Sequence, residues 1–153
     1  MSTIVTRAGK GSPLTNTELD ANFTNLNTDK FEKSGGAITN DVTINGVTAG
    51  RGAGSVSTNT AVGASALSSG SLSGGNNTGV GYLALQSNTT AANVTAIGRA
   101  ALNSNTTGDA NTGIGGNSLL NNTTGAYNSA VGQGALQSNT TASYNTAVGY
   151  QAG

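Results

Sequence analysis

The sequence predicts a mainly β chain. A short N-terminal helix, read as one member of a trimeric coiled coil, leads into short strands and then a parallel β-solenoid of 17-residue repeats. The whole is expected to be a homotrimer. Three observations carry this reading. A motif recurs six times at a spacing of 18, 17, 17, 17 and 17 residues. The chain is built from small residues, with 24 glycines, 35% hydrophobic and 8% charged residues, against about 45–50% and about 25% in ordinary domains. Ten of its twelve charges lie in residues 1–58, and only Arg99 and Asp109 follow.

Residues 1–13 contain Ile4, Val5, Arg7 and Lys10 with nothing local to pack against, and they are expected to form an extended arm. Gly11-Ser-Pro13 is a break. Residues 14–30 are expected to form the helix. Thr15-Asn-Thr-Glu18 reads as a capping box, and Leu19, Phe23 and Leu26 are spaced 4 and 3 apart, as d, a and d of a heptad. So short a helix is marginal alone in water. A three-stranded coil would cover its apolar stripe, which makes Leu19, Phe23 and Leu26 the expected trimerisation residues.

Residues 31–58 read as a β connector. Ile38, Val42, Ile44 and Val47 suggest short strands, and Asn45-Gly46 is a strong hairpin signal.

The repeats fill residues 59–153. They begin at Asn59-Thr-Ala-Val-Gly63, Asn77-Thr-Gly-Val-Gly81, Val94-Thr-Ala-Ile-Gly98, Asn111-Thr-Gly-Ile-Gly115, Asn128-Ser-Ala-Val-Gly132 and Asn145-Thr-Ala-Val-Gly149. A leucine follows in five copies, as Leu67, Leu85, Leu102, Leu119 and Leu136, and then, in the last four of these, a Ser-Asn-Thr-Thr type run, with Ser68-Ser-Gly-Ser-Leu-Ser-Gly-Gly75 in its place in the first. Thr and Val/Ile favour strands, and alternation sets the first and third of them on one face. Gly lets the chain turn or a second backbone approach. The Asn-Thr-Thr run is turn chemistry, and a helix is improbable at this density of Gly, Asn and Thr. Each repeat therefore reads as one coil with two short strands and two turns. Its expected core is two ladders, one of Val62, Val80, Ile97, Ile114, Val131 and Val148, and one of the five leucines. Three apolar side chains per coil make a thin core, and small cores need oligomerisation or staples. The trimer is expected on this ground too.

Two resemblances follow from these residues. The Asn-Thr-Ala-Val-Gly and Val-Thr-Ala-Ile-Gly repeats with Ala-Leu resemble the head repeats of trimeric autotransporter adhesins, which form a left-handed trimeric β-roll, and similar runs occur in bacteriophage tail fibres. The segment Lys10-Gly-Ser-Pro-Leu-Thr-Asn-Thr-Glu-Leu-Asp-Ala-Asn-Phe-Thr-Asn-Leu26 resembles the N-terminal segment of many phage tail-fibre proteins, and the Gly35-Gly36 region resembles the repeats of phage fibre shafts. The resemblance implies a structural component of the virion tail, made in the host cytoplasm. Its N-terminus would dock on an adaptor, nozzle or baseplate protein of the tail, with Ile4 and Val5 as apolar anchors and Arg7 and Lys10 as charge contacts. The shaft would hold a distal receptor-binding tip, and contact with the host receptor would pass through parts outside this chain.

Composition narrows the alternatives. The chain has no Cys and no His, so thiol and imidazole chemistry and zinc sites are excluded. Spike hydrolases need paired carboxylates, and the repeats hold one acid, Asp109. No enzyme, no cofactor and no metal are expected. Six basic residues give no footprint for nucleic acid, and no run of about 20 apolar residues exists to cross a membrane. The competing reading is an ice- or carbohydrate-binding β-solenoid, kept open by the Thr-rich period.

Overall fold

The computed structural model describes residues 42–153. The arm at 1–13, the helix at 14–30 and the start of the connector lie outside the described residues. So do Ile4, Val5, Arg7, Lys10, Leu19, Phe23 and Leu26.

One eight-stranded sheet runs through the described chain in sequence order. Strands β1 (Val42–Ile44) and β2 (Val47–Gly50) form an antiparallel hairpin, with Val42 opposite Ala49. Its turn residues, Asn45 at φ 50° and Gly46 at φ 80°, both take the left-handed conformation that a type I′ turn demands. β2 pairs antiparallel with β3 (Thr60–Val62). From there every pairing is parallel: β4 (Thr78–Val80), β5 (Thr95–Ile97), β6 (Thr112–Ile114), β7 (Ser129–Val131) and β8 (Thr146–Val148). The register sets Thr on Thr or Ser, and Val on Val or Ile, in successive coils. This is a parallel β-solenoid with a 17-residue coil, and the hairpin extends its sheet at one end.

Each coil contributes one strand of three residues, not the two strands expected from the sequence. The Ala-Leu segment is bonded coil to coil, with the Leu85 N–H donating to Ala101 C=O at 3.1 Å and the Leu102 N–H to Ser118 C=O at 2.9 Å. Its leucines, however, are left-handed: φ is 46° at Leu67, 52° at Leu85, 49° at Leu102, 48° at Leu119 and 49° at Leu136. A left-handed L-residue costs about 1–2 kcal/mol. Here it lets a tight turn aim each leucine into the interior. Leu67, Leu85, Leu102 and Leu119 are fully buried, and Leu136 is partly buried.

That leucine ladder decides what faces it. The central residue of each strand points inward: Ala61, Gly79, Ala96, Gly113, Ala130 and Ala147 are all buried. There is little space there. A Cβ added at Gly113 would lie 3.2 Å from Leu102 Cδ1, and one at Gly79 would lie 3.3 Å from Leu67 Cγ. The expectation that Val62, Val80, Ile97, Ile114, Val131 and Val148 form a buried core ladder is therefore corrected. They do stack in one row, but on the outer face of the sheet. Val62, Ile97, Ile114 and Val131 are 38–40% exposed, and Val148 72%. Strand alternation puts Thr and Val/Ile together on one face, and the leucines leave room inside only for Ala or Gly on the other.

The glycine after each strand sits where a side chain cannot. Gly81 has φ 132°, and a Cβ there would lie 2.5 Å from the Gly98 carbonyl oxygen of the next coil. Positive φ and close approach act together at this corner.

Candidate functional site

Two surfaces of the solenoid differ in chemistry, one internal and one external. The internal one is made of asparagine. Asn59, Asn77, Asn111 and Asn128, which precede strands, are buried, and so are Asn88, Asn105 and Asn122 from the Asn-Thr-Thr runs. In the first set the side-chain oxygen accepts the backbone N–H of the next coil. Asn59 Oδ1 accepts from Asn77 at 2.8 Å, Asn77 Oδ1 from Val94 at 2.9 Å, Asn111 Oδ1 from Asn128 at 2.8 Å and Asn128 Oδ1 from Asn145 at 2.9 Å. The amide nitrogens bond carbonyls, as Asn111 Nδ2 does to Gly125 O at 2.6 Å. In the second set the amides chain to one another: Asn122 Nδ2 donates to Asn105 Oδ1 and Asn139 Nδ2 to Asn122 Oδ1, both at 2.8 Å. Each also closes its own turn, as Asn105 Nδ2 does to Gly108 O at 3.0 Å. Buried polar groups are tolerated when bonded in this way.

One atom breaks the pattern. Asn88 Oδ1 is, among the described residues, the single buried side-chain polar atom with no partner. One coil further on, Asn111 Nδ2 reaches Asn105 Oδ1 at 3.5 Å. The residue corresponding to Asn111 in the Asn88 coil is Val94, which has no amide to offer.

The Thr residues of the Asn-Thr-Thr runs join the same stitching. The hydroxyls of Thr89, Thr106 and Thr123 donate to the carbonyls of Thr106, Thr123 and Thr140 at 3.0, 3.0 and 3.1 Å. Asp109, the sole acid among the described residues, accepts the Ala92 N–H at 2.8 Å. Ser143 does the same for Ala126 at 3.0 Å, so the carboxylate occupies a stitching position that a hydroxyl also fills.

The external surface is the outer face of the sheet. One row is Thr60, Thr78, Thr95, Thr112, Ser129 and Thr146. The parallel row is Val/Ile, and the hairpin register extends it through Ala49 and Val42. Neither row holds a charge. Among the described residues, the hydroxyls of Thr78, Thr95, Thr112 and Thr146 make no hydrogen bond within the chain. The four described tyrosines, Tyr82, Tyr127, Tyr144 and Tyr150, are exposed, and Tyr127 and Tyr144 stack with ring centroids 5.1 Å apart and planes 2° from parallel.

The chain matches no family model, no curated protein and no solved structure. The geometry must therefore be read on its own terms. Among the described residues, no three of His, Cys, Asp and Glu come together as a metal site, and no helix is long and apolar enough to cross a membrane.

The sequence reading missed the asparagine ladders. The Asn before each strand reads there only as the start of the repeat motif, and the Asn-Thr-Thr run only as turn chemistry. The available signal was two Asn offsets kept at a fixed period. A turn exposed to water does not need the same amide in every copy, whereas a buried ladder does.

Proposed function

We propose that this chain is a structural segment of a homotrimeric fibre of the phage tail-fibre type. Its N-terminal residues anchor it to the tail, and its solenoid acts as a rigid spacer that holds a distal receptor-binding part outward. The observation that carries this reading is the direction of the bonding. Strand pairing, asparagine amides and threonine hydroxyls all link one coil to the next along the axis. Backbone pairing and buried amide networks of this kind resist bending and give little scope for moving parts. The buried asparagines and the first threonines of the Asn-Thr-Thr runs are engaged in holding coils together. The resemblance of residues 10–26 to phage fibre N-termini supports the anchoring role.

The test is the mass of the whole chain in solution. Light scattering at micromolar concentration should return the mass of three chains. A stable folded monomer overturns the proposal. A second reading, an ice-binding module, is favoured by the unengaged threonine row. A thermal hysteresis measurement on the same sample separates the two.

A further inference from the structure

We propose that Asn45 is a modification site. Its side-chain amide is lost by attack of the Gly46 backbone nitrogen, and the product remodels the turn between β1 and β2. The reactants are this turn and water. The chemistry has three requirements. The Asn carboxamide must be free to rotate, the N–H of the next residue must be free to attack it, and the next side chain must not crowd the approach. Asn45-Gly46 is the single Asn-Gly dipeptide of the chain, and both residues are exposed. Among the described residues, neither the Asn45 amide nor the Gly46 N–H has a hydrogen-bond partner. Even a Cβ added at Gly46 would meet nothing within 4 Å, so no neighbouring group shields the turn.

The asparagines of the solenoid do not meet these requirements. After those that precede strands, the attacking N–H is engaged in the coil-to-coil ladder. Thr60 N–H donates to Asn77 C=O, Thr78 to Val94, Thr112 to Asn128 and Ser129 to Asn145, each at 2.8 Å. After Asn88, Asn105 and Asn122, the N–H groups of Thr89, Thr106 and Thr123 donate to the next coil at 3.0, 2.9 and 2.7 Å. At every other described asparagine except Asn139 and Asn145, the following N–H is bonded as well. Asn139 and Asn145 are followed by Thr140 and Thr146, whose branched Cβ crowds the nitrogen. Their own amides are held by Asn122 and Asn128. The bonding that joins the coils thus protects their asparagines, and the hairpin turn lies outside that protection.

The step balances without an oxidant or a cofactor. The Gly46 nitrogen bonds to Asn45 Cγ and gives up its proton. The Cγ–Nδ2 bond breaks, and the amide nitrogen leaves as ammonia with that proton. A cyclic imide remains, and water opens one of its two carbonyl–nitrogen bonds. One opening gives an aspartyl residue. The other gives an isoaspartyl link, in which the backbone runs through the side-chain carbonyl and is one carbon longer. Ring closure requires Asn45 to rotate out of its φ 50° turn. β1 has three residues and stands at the edge of the sheet, so this opening breaks few bonds.

The consequence is local. Loop length and turn type fix the register of a hairpin, and a longer link no longer fits a two-residue turn. The pairs Val42 with Ala49 and Ile44 with Val47 depend on that turn. The parallel pairings from β4 to β8 do not pass through it. Modification therefore loosens the hairpin, adds a negative charge there, and leaves the coils in place.

The experiment holds the full chain in mildly alkaline buffer at physiological temperature and follows each asparagine by peptide mass mapping. Conversion at Asn45 should be at least tenfold faster than at any asparagine of the solenoid. No conversion at Asn45, or faster conversion within the solenoid, overturns the proposal. A second arm separates structure from dipeptide. Thr112→Gly sets a glycine after the buried Asn111, and its cooperative unfolding in urea is checked in parallel. In the folded variant Asn111 should convert at least tenfold more slowly than Asn45, and in urea the two should convert at similar rates. Equal rates in the folded variant would show that the dipeptide alone sets the site. If the variant does not fold, the unsubstituted chain decides. A third arm separates the converted fraction by its added charge and measures hydrogen exchange. Amides of β1 and β2 should exchange faster than in the unconverted chain, with β4 to β7 unchanged. Unaltered protection in β1 and β2 overturns the remodelling of the turn.

Discussion

The coil carrying Asn105 and Asn111 and the coil carrying Asn88 and Val94 follow the same path, yet they are not equally satisfied. In the first, Asn105 Oδ1 receives Asn122 Nδ2 at 2.8 Å and lies within 3.5 Å of Asn111 Nδ2. In the second, Asn88 Oδ1 has no donor. Val94 is fully buried and gains from burial, but it has neither the amide that Asn88 lacks nor an oxygen for the N–H of Asn111. The difference teaches that the amide ladders act as a connected network. What Asn88 Oδ1 lacks is the 2.8 Å bond that Asn105 and Asn122 each receive from the asparagine one coil on, because Asn105 Nδ2 is bonded to Gly108 O instead.

Removing an intact rung should have the largest effect on stability. Asn111→Ala deletes an acceptor for the buried Asn128 N–H and a donor to Gly125 O. An orphaned buried group costs about 1–3 kcal/mol beyond the bond itself, so the expected loss is about 3 kcal/mol, seen as a lower urea midpoint. Ser68→Ala removes an exposed 3.1 Å hydroxyl bond to the Ser65 carbonyl and should change stability by less than about 0.5 kcal/mol. Similar losses from the two would show that the buried ladder is not special.

Repairing the defective coil should act in the opposite direction. Val94→Asn should supply the Asn111 N–H with an acceptor, as Asn111 does for Asn128, and set an amide nitrogen near Asn88 Oδ1, as Asn111 Nδ2 lies 3.5 Å from Asn105 Oδ1. The lost burial of Val is worth about 1.5–3 kcal/mol. Relief of an unsatisfied buried oxygen and two or more new bonds outweigh it by about 1 kcal/mol. A raised denaturation midpoint is the expected result. A fall of similar size would mean that packing, not bonding, governs this rung.

The smallest expected effect separates two neighbours. Thr106 bonds the next coil through its hydroxyl at 3.0 Å, whereas the exposed Thr107 makes no such side-chain bond. Thr106→Val should cost about 1 kcal/mol and Thr107→Val less than about 0.5 kcal/mol. Hydrogen exchange of amides in the flanking coils would register the first and not the second.

Much of this architecture was legible in the sequence. The 17-residue period gives the coil, equal spacing gives the stacking of like on like, and Asn45-Gly46 gives a hairpin turn. Two things were not legible, for physical reasons. Alternation says that Thr112 and Ile114 share a face but not which face is inside. That is decided by Leu102, which enters from a turn in another part of the coil and leaves room opposite only for Gly113. A leucine in a left-handed turn is itself hard to foresee, because the conformation is unfavourable for it and only the surrounding fold selects it. The asparagines were hidden for a related reason. Local chemistry marks Asn as a turn residue, and only the stacking of coils turns it into a core residue.

The glycine corner sets a rule for how such a chain can change over time. Because Gly81 meets Gly98 and Gly98 meets Gly115 through contacts too close for any side chain, a coil fits only above another coil of the same plan. Loss or gain of a few residues within one strand would throw every later corner out of alignment. Duplication or deletion of a whole 17-residue unit leaves each remaining junction as it was. The 18-residue first interval, between Thr60 and Thr78, shows where an extra residue is tolerated, in the Ser68–Gly75 turn away from the corner. Length in this molecule therefore changes in whole steps, each adding or removing one strand spacing of about 4.8 Å. Recombination between like units can change the number of coils without any new junction having to be invented.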